Sequence, residues 1–344
     1  MTVHRRQVVI ILSTRIRQRR PARAAGGREP IVRTAVAAAL VCAALVVVSG
    51  QGRQPTFRSG IDMVSFGVTV VDKKGSFLTN LEAQDFEVYE DGQKQAIRFF
   101  VPCDARTGQG EHAAPPTELH LGALFDISGS MDADIHLSRT AAIRFLDALQ
   151  DARDYTLVEF DTQVRVARYS QSEFSRLIER IRSRKAEGRM TALWDATGVY
   201  LDGAADQEGR KILVLYTDGG DNGSSISFTD LLELLKASDV TVHAIGFLEN
   251  QSTRDRTEQQ GRLRRIAEIT GGQAFFPVSV KDLDGVYAKI AAEIDAQYSM
   301  GYVSSSAKAD GAWRKVEIRV VRPDLKGVKV RTRQGYFAPL KPNK

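Results

Sequence analysis

The chain has 344 residues with 26% charged side chains and a formal net charge of +6, enough length for a full core and, by length alone, for two domains. The positive surplus is local: residues 1–33 carry nine arginines against the single acid Glu29, so residues 34–344 are net negative by two. No basic patch of the kind that tracks phosphates remains, which excludes a nucleic-acid-binding class. Of two cysteines, Cys42 and Cys103, only Cys103 lies beyond the N-terminal segment. No internal disulfide is then possible, and Cys103 reads as a partly buried spectator.

Residues 35–48 are fourteen in a row without a charge, short of the roughly 20 that span a bilayer as a helix. They match the apolar region of a secretory signal, and Ser49-Gly50 supply small residues before a cleavage point. Residues 1–56 are therefore expected to be a basic N-terminus with a signal peptide or anchor. The protein is expected to be secreted or periplasmic, touching a membrane only through that segment if it stays uncleaved. A basic region of more than thirty residues is unusual for a signal, and translation from Val32, if its codon is GTG, would leave Arg33 as a short one.

Residues 57–103 alternate on a two-residue period (Val64, Phe66, Val68, Val70; Phe86, Val88; Ile97, Phe99), with turns at Asp72-Lys73-Lys74-Gly75 and Glu90-Asp91-Gly92, which reads as antiparallel strands. Residues 104–117, with Gly108, Gly110, Pro115 and Pro116, form a linker. Residues 118–297 alternate strands (119–125, 155–160, 164–169, 211–216, 240–247, 273–277) with helices (133–150, 172–184, 192–205, 228–237, 258–270, 281–297). That order implies a mostly parallel sheet with helices on both faces, and the short 155–169 hairpin puts an antiparallel strand at an edge. Residues 298–340 return to β patterning (Val316, Ile318, Val320; Val328, Val330; Tyr336). Each β flank is too short for its own core, so the expectation is one all-β sandwich-like domain built from both flanks, with the α/β domain inserted.

The chemistry concentrates at strand ends. Asp126-Ile127-Ser128-Gly129-Ser130 follows the apolar run 119–125 and precedes a helix. Thr191 opens the helix 192–205, and Asp218 ends the strand 211–216 after Thr217. In an open α/β sheet such positions share one crevice at the carboxyl edge. Two carboxylates and three hydroxyls suit a hard divalent cation, Mg²⁺ or else Mn²⁺ or Ca²⁺. Ser128, Ser130 and Thr191 can bind it directly, while Asp126 and Asp218 act partly through water. A shell of mostly neutral donors leaves the ion electrophilic, ready to take an acidic side chain from a protein partner.

In these five positions the chain resembles a von Willebrand factor type A domain with a complete metal-ion-dependent adhesion site. Phe160-Asp161-Thr162 and Thr217-Asp218-Gly219 match that family's strand ends as well. The flanks resemble the secreted bacterial VWFA-related acidobacterial family through Val70-Val71-Asp72-Lys73-Lys74-Gly75, Asp85-Phe86-Glu87-Val88-Tyr89-Glu90-Asp91-Gly92 and Gly335-Tyr336-Phe337. The resemblance implies a Rossmann-like α/β fold and an exported, non-enzymatic adhesion module that grips an acidic partner residue through the cation. It also implies that the helix 281–297 can shift with the state of the metal site.

Two other classes stand against this. A phosphotransferase would use Asp126 as nucleophile, but it needs a second carboxylate where Ser128 stands, and no Gly-rich dinucleotide fingerprint follows the first strand. A structural or assembly subunit of an envelope complex needs no particular residues. The remaining features read as structural. His243 should satisfy a core hydrogen bond, and no His pair has zinc spacing. Asp221, three residues beyond Asp218, is placed to tune the ion but reads first as a solvated loop acid. The basic runs at 176–185 and Arg262, Arg264 and Arg265 read as solvated helix faces.

Overall fold

A computed structural model describes residues 63–103, 118–306 and 308–340; the expected signal segment and the linker lie outside the described residues. The period-two segment at the start forms β1 (Met63–Val71), followed by β2 (Phe86–Glu90), β3 (Gln93–Gln95) and β4 (Ile97–Val101). Between β2 and β3 the turn residues Asp91 and Gly92 both take positive φ, 47° and 84°, the backbone of a two-residue hairpin turn that matches strand twist. Strands and helices then alternate: β5 (Leu119–Asp126), α1 (Ile135–Asp147), β6 (Asp154–Phe160), β7 (Val164–Ser170), α2 (Phe174–Ser183), α3 (Leu193–Ala204), β8 (Arg210–Thr217), α4 (Phe228–Ala237), β9 (Thr241–Gly246), α5 (Thr253–Thr270), β10 (Ala274–Phe275) and α6 (Val280–Asp295). The last described strands are β11 (Tyr298–Val303), β12 (Trp313–Val320), β13 (Lys329–Arg331) and β14 (Gly335–Phe337).

The central sheet runs β10-β9-β8-β5-β6-β7 and is parallel except for β7, which pairs antiparallel with β6 at the edge. Every residue of β5 is buried, which explains its unbroken apolar pattern: both faces are covered. Phe125, Leu157 and Val214 pack with Phe145 of α1, Leu177 of α2 and Ile290 of α6 on one face. Leu124, Leu213 and Val242 pack with Leu193 of α3, Leu231 of α4 and Leu263 of α5 on the other. Strand order reverses between β5 and β8, and such a switch point opens a crevice at the carboxyl ends of the strands.

The two flanks interleave. One four-stranded sheet runs β13-β1-β11-β4 and a second runs β14-β12-β2-β3, with all their pairings antiparallel. Phe66, Val68, Phe86, Tyr298, Met300 and Ile318 share one core between them. Buried Glu90 of β2 accepts hydrogen bonds from Tyr302 Oη (2.8 Å), Tyr336 Oη (2.9 Å) and Ser304 Oγ (2.7 Å), so a carboxylate from the first flank is satisfied entirely by the second.

Several elements differ from expectation. α5 begins at Thr253 rather than 258, because Ser252 Oγ accepts from Asp255 N (3.2 Å) and caps a first stretch that is wholly polar and so shows no apolar period. The strand expected over 273–277 shortens to two residues, with Pro277 unable to continue a ladder. The basic face of α2 is only partly solvated: Arg180 and Arg184 both reach the buried Glu159 of β6, Arg180 Nε at 3.1 and 3.0 Å from its two oxygens. Arg262 lies over the rings of Trp194 and Phe228, and Arg264 over Phe276. Cys103 is buried and its thiol donates to the Ala296 carbonyl. Among the described residues no helix is long and apolar enough to cross a membrane.

Candidate metal centre

The carboxyl ends of β5 and β8 lie side by side, with Phe125 in register with Tyr216, and this brings Asp126 next to Thr217 and Asp218. Asp126 is fully buried and both of its carboxylate oxygens accept hydrogen bonds. Oδ1 accepts from Ser128 N (2.9 Å) and Ser128 Oγ (2.6 Å), and Oδ2 accepts from Thr217 Oγ1 (2.6 Å). Burial and the neighbouring Asp218 charge push Asp126 up to about 7, against the pull of these hydrogen bonds. Thr217, whose own oxygen also accepts from Gly219 N (3.0 Å), was read from the sequence only as part of a strand end; its bond to Asp126 spans 91 positions and has no local signature.

Ser128 has committed its proton to Asp126, so its lone pairs face elsewhere, and Ser130 Oγ lies 3.0 Å away. Ser128 is buried, while Ser130 is exposed at the mouth.

Thr191 arrives from the loop before α3, and the backbone ties that loop to β5. Gly129 N donates to Gly188 O (2.6 Å), and Glu187 N donates to Ile127 O (3.0 Å). Glycine is required at 188: a Cβ there would stand 2.2 Å from Asp161 Cβ. Thr191 is itself pinned from the β8–α4 loop, its N–H donating to Asn222 Oδ1 (2.8 Å) and its carbonyl accepting from Asn222 N (3.0 Å) and Gly223 N (2.9 Å). Asp218, buried like Thr191, accepts from Gly220 N (2.9 Å) at Oδ1 and from Gln251 Nε2 (3.0 Å) at Oδ2.

All five expected residues therefore stand on three loops joined to one another. No trio of His, Cys, Asp or Glu side chains that could hold a metal occurs among the described residues; the set here is two carboxylates with three hydroxyls, oxygen donors of the kind that suit a hard divalent cation. Asp221 is not a solvated loop acid. It is half-buried, raised by that burial, and caps α3 by accepting from Trp194 N (3.3 Å) and Ser224 Oγ (2.6 Å). His243 does satisfy a core hydrogen bond, its Nδ1 accepting from Gln273 N (3.2 Å). Asn222 and Gln251 were missed from the sequence, because amides in polar loops carry no spacing signal.

Residues 121–289 match the family model of the von Willebrand factor type A domain. That match spans just under half of the chain, and the mostly parallel sheet with helices on both faces is the Rossmann-like arrangement of such a domain. The structure is similar to the PilB minor pilin from Streptococcus sanguinis (14% identity, covering 54% of this chain and 63% of that one, TM-score 0.43). It is also similar to a von Willebrand factor type A protein from Catenulispora acidiphila (16%, 84% and 68%, TM-score 0.44). A third likeness is to the vWF domain of the type V pili tip protein Mfa5 from Porphyromonas gingivalis (11%, 53% and 97%, TM-score 0.42). The chain thus spans under two thirds of the length of the pilin. No curated protein matches its sequence.

Proposed function

We propose that this chain is an exported protein-binding module of adhesion type, in which Asp126, Ser128, Ser130, Thr191 and Asp218 hold a Mg²⁺-class cation that accepts an acidic side chain from a protein partner. One observation carries this reading: three separate loops at the sheet's switch point converge two buried carboxylates and three hydroxyls, two of those hydroxyls 3.0 Å apart.

The roles follow from the bonds already described. Ser128 turns its lone pairs outward because its proton is given to Asp126. Asp126, with both oxygens occupied by donors inside the protein, supplies negative charge behind the site and orients the serine. The backbone between Thr191 and residues 222–223 sets the threonine's height relative to both carboxylates. Bound there, the cation would supply a Lewis-acidic point beside two buried carboxylates, whose charge alone would disfavour a partner's carboxylate. The full burial of Asp126, with both oxygens hydrogen-bonded inside the protein, also speaks against a phosphotransferase, whose nucleophile must meet its substrate.

Retention of a partner from envelope extract on the immobilised chain should require Mg²⁺, and should be lost in EDTA and in Asp126→Ala. Retention indifferent to both chelator and variant defeats the cation-bridge reading.

A further inference from the structure

The loop between β9 and α5, residues 247–252, reaches two of the three ligand-bearing loops. Gln251 Nε2 donates to Asp218 Oδ2 (3.0 Å), and Asn250 Nδ2 donates to Asp134 Oδ2 (3.0 Å), a few residues beyond Ser130. The loop is braced from behind. Phe247 N donates to Thr217 O (3.0 Å), and Gln251 N donates to Leu248 O (3.1 Å). Arg256, in the first turn of α5, donates from Nε to Leu248 O (3.1 Å) and from Nη2 to Glu249 O (2.8 Å). The backbone that carries Gln251 is thus tied to β8 and to α5 where its side-chain amide meets Asp218.

A carboxylate serves a cation directly or through an intervening water, and the choice matters to a site that recruits a third party. Direct ligation cancels part of the ion's charge and fills a coordination position with a fixed protein oxygen; service through water leaves the charge less compensated and puts an exchangeable water, which a partner can displace, at that position. Asp218 has one oxygen held by a backbone N–H and the other by an amide, so turning either oxygen toward an ion means bending or giving up a hydrogen bond already made.

We propose that Gln251 is a positioning residue for the metal centre: by occupying Asp218 Oδ2 it restrains that carboxylate from direct ligation and keeps the cation electrophilic toward the partner. This rests on the cation-bridge reading above. Gln251 therefore trades metal affinity for partner affinity, and removing its amide raises the first while lowering the second. A residue with a merely structural part in the loop would, on removal, loosen the metal site.

The test is titration of the full chain with Mn²⁺ alone, followed by electron paramagnetic resonance, with water-proton relaxation counting the exchangeable waters on the bound ion. Gln251→Met keeps the side chain's length without its donor, and Gln251→Ala removes both; thermal unfolding checks that each variant folds. Both variants should bind Mn²⁺ three- to tenfold more tightly than wild type with fewer exchangeable waters, and Asp218→Asn in the same background should abolish the gain. Unchanged or weaker binding in both variants, with the wild type binding normally, overturns the role of Gln251 alone. Absence of Mn²⁺ binding by the wild type overturns this proposal together with the reading on which it rests.

Discussion

Thr217 and Ser130 sit within a few ångströms of the same carboxylate chemistry yet answer to different demands. Thr217 is fully buried and supplies the one bond to Asp126 Oδ2, whereas Ser130 is exposed and bonds only to another hydroxyl. Thr217→Val is expected to lower stability by about 1–3 kcal/mol in metal-free protein, because a buried carboxylate oxygen loses its donor. Ser130→Ala should leave metal-free stability within about 0.5 kcal/mol, as exposed substitutions usually do, while weakening divalent cation binding several-fold. Urea unfolding with and without Mg²⁺ separates the two. At this scale the sequence was informative wherever chemistry coincided with periodicity: Asp126, Ser128 and Ser130 stand at the end of an apolar run, and Asp218 stands at the end of another. It was silent on Asn222 and Gln251, whose partners come from distant segments, and misleading on Asp221, which caps the start of α3 from 27 residues further along the chain.

Between elements, the contact of α6 with β13 rests on a buried ion pair, Arg331 Nη2 to Glu293 Oε1 at 2.8 Å, with 9% and 3% of the side chains exposed. Arg331→Met should destabilise the protein by about 3–5 kcal/mol at pH 8 by stranding a buried charge, and Glu293→Met in the same chain should recover most of the loss. The penalty should shrink at pH 5, where Glu293, already pushed up to about 7 by burial against the pull of Arg331, takes a proton and sheds its charge. His243 gives β9 an opposite pH signature. Burial, with the Arg331 charge adding to it, holds its imidazole neutral and lowers it to about 3. The unfolded chain takes up that proton near pH 6.5 and the folded chain does not, so stability falls as pH drops through this window, by about 1.4 kcal/mol per pH unit for one proton. His243→Gln should remove this share of the slope in unfolding curves taken at pH 7, 6 and 5; an unchanged slope contradicts it. Neither group was legible in its energetic role, since a lone histidine in an apolar strand and an acid in an amphipathic helix look ordinary until the facing element is known. The bounds of α5 escaped for a related reason: its first turns are polar on all sides.

For the whole molecule, fold class followed from the order of elements. Six strand patterns alternating with six helix patterns leave few arrangements besides a mostly parallel sheet covered on both faces, and the short 155–169 hairpin marked the antiparallel edge seen in β6 and β7. The pairing of β1 with β11, more than two hundred residues apart, lies beyond any local pattern. Tyr302 of β11 then meets Glu90 of β2 across the two sheets, while β12 sets Tyr336 of β14 near the same carboxylate. The function proposed here stands or falls on whether the convergence at the switch point holds an ion. Titration of the full chain with Mn²⁺ at pH 7.5, followed by electron paramagnetic resonance and competition with Mg²⁺, addresses this directly. One saturable, Mg²⁺-displaceable ion per chain that is lost in Asp126→Ala and weakened in Thr191→Ala is the expected result. No saturable binding, or binding that survives Asp126→Ala unchanged, contradicts it.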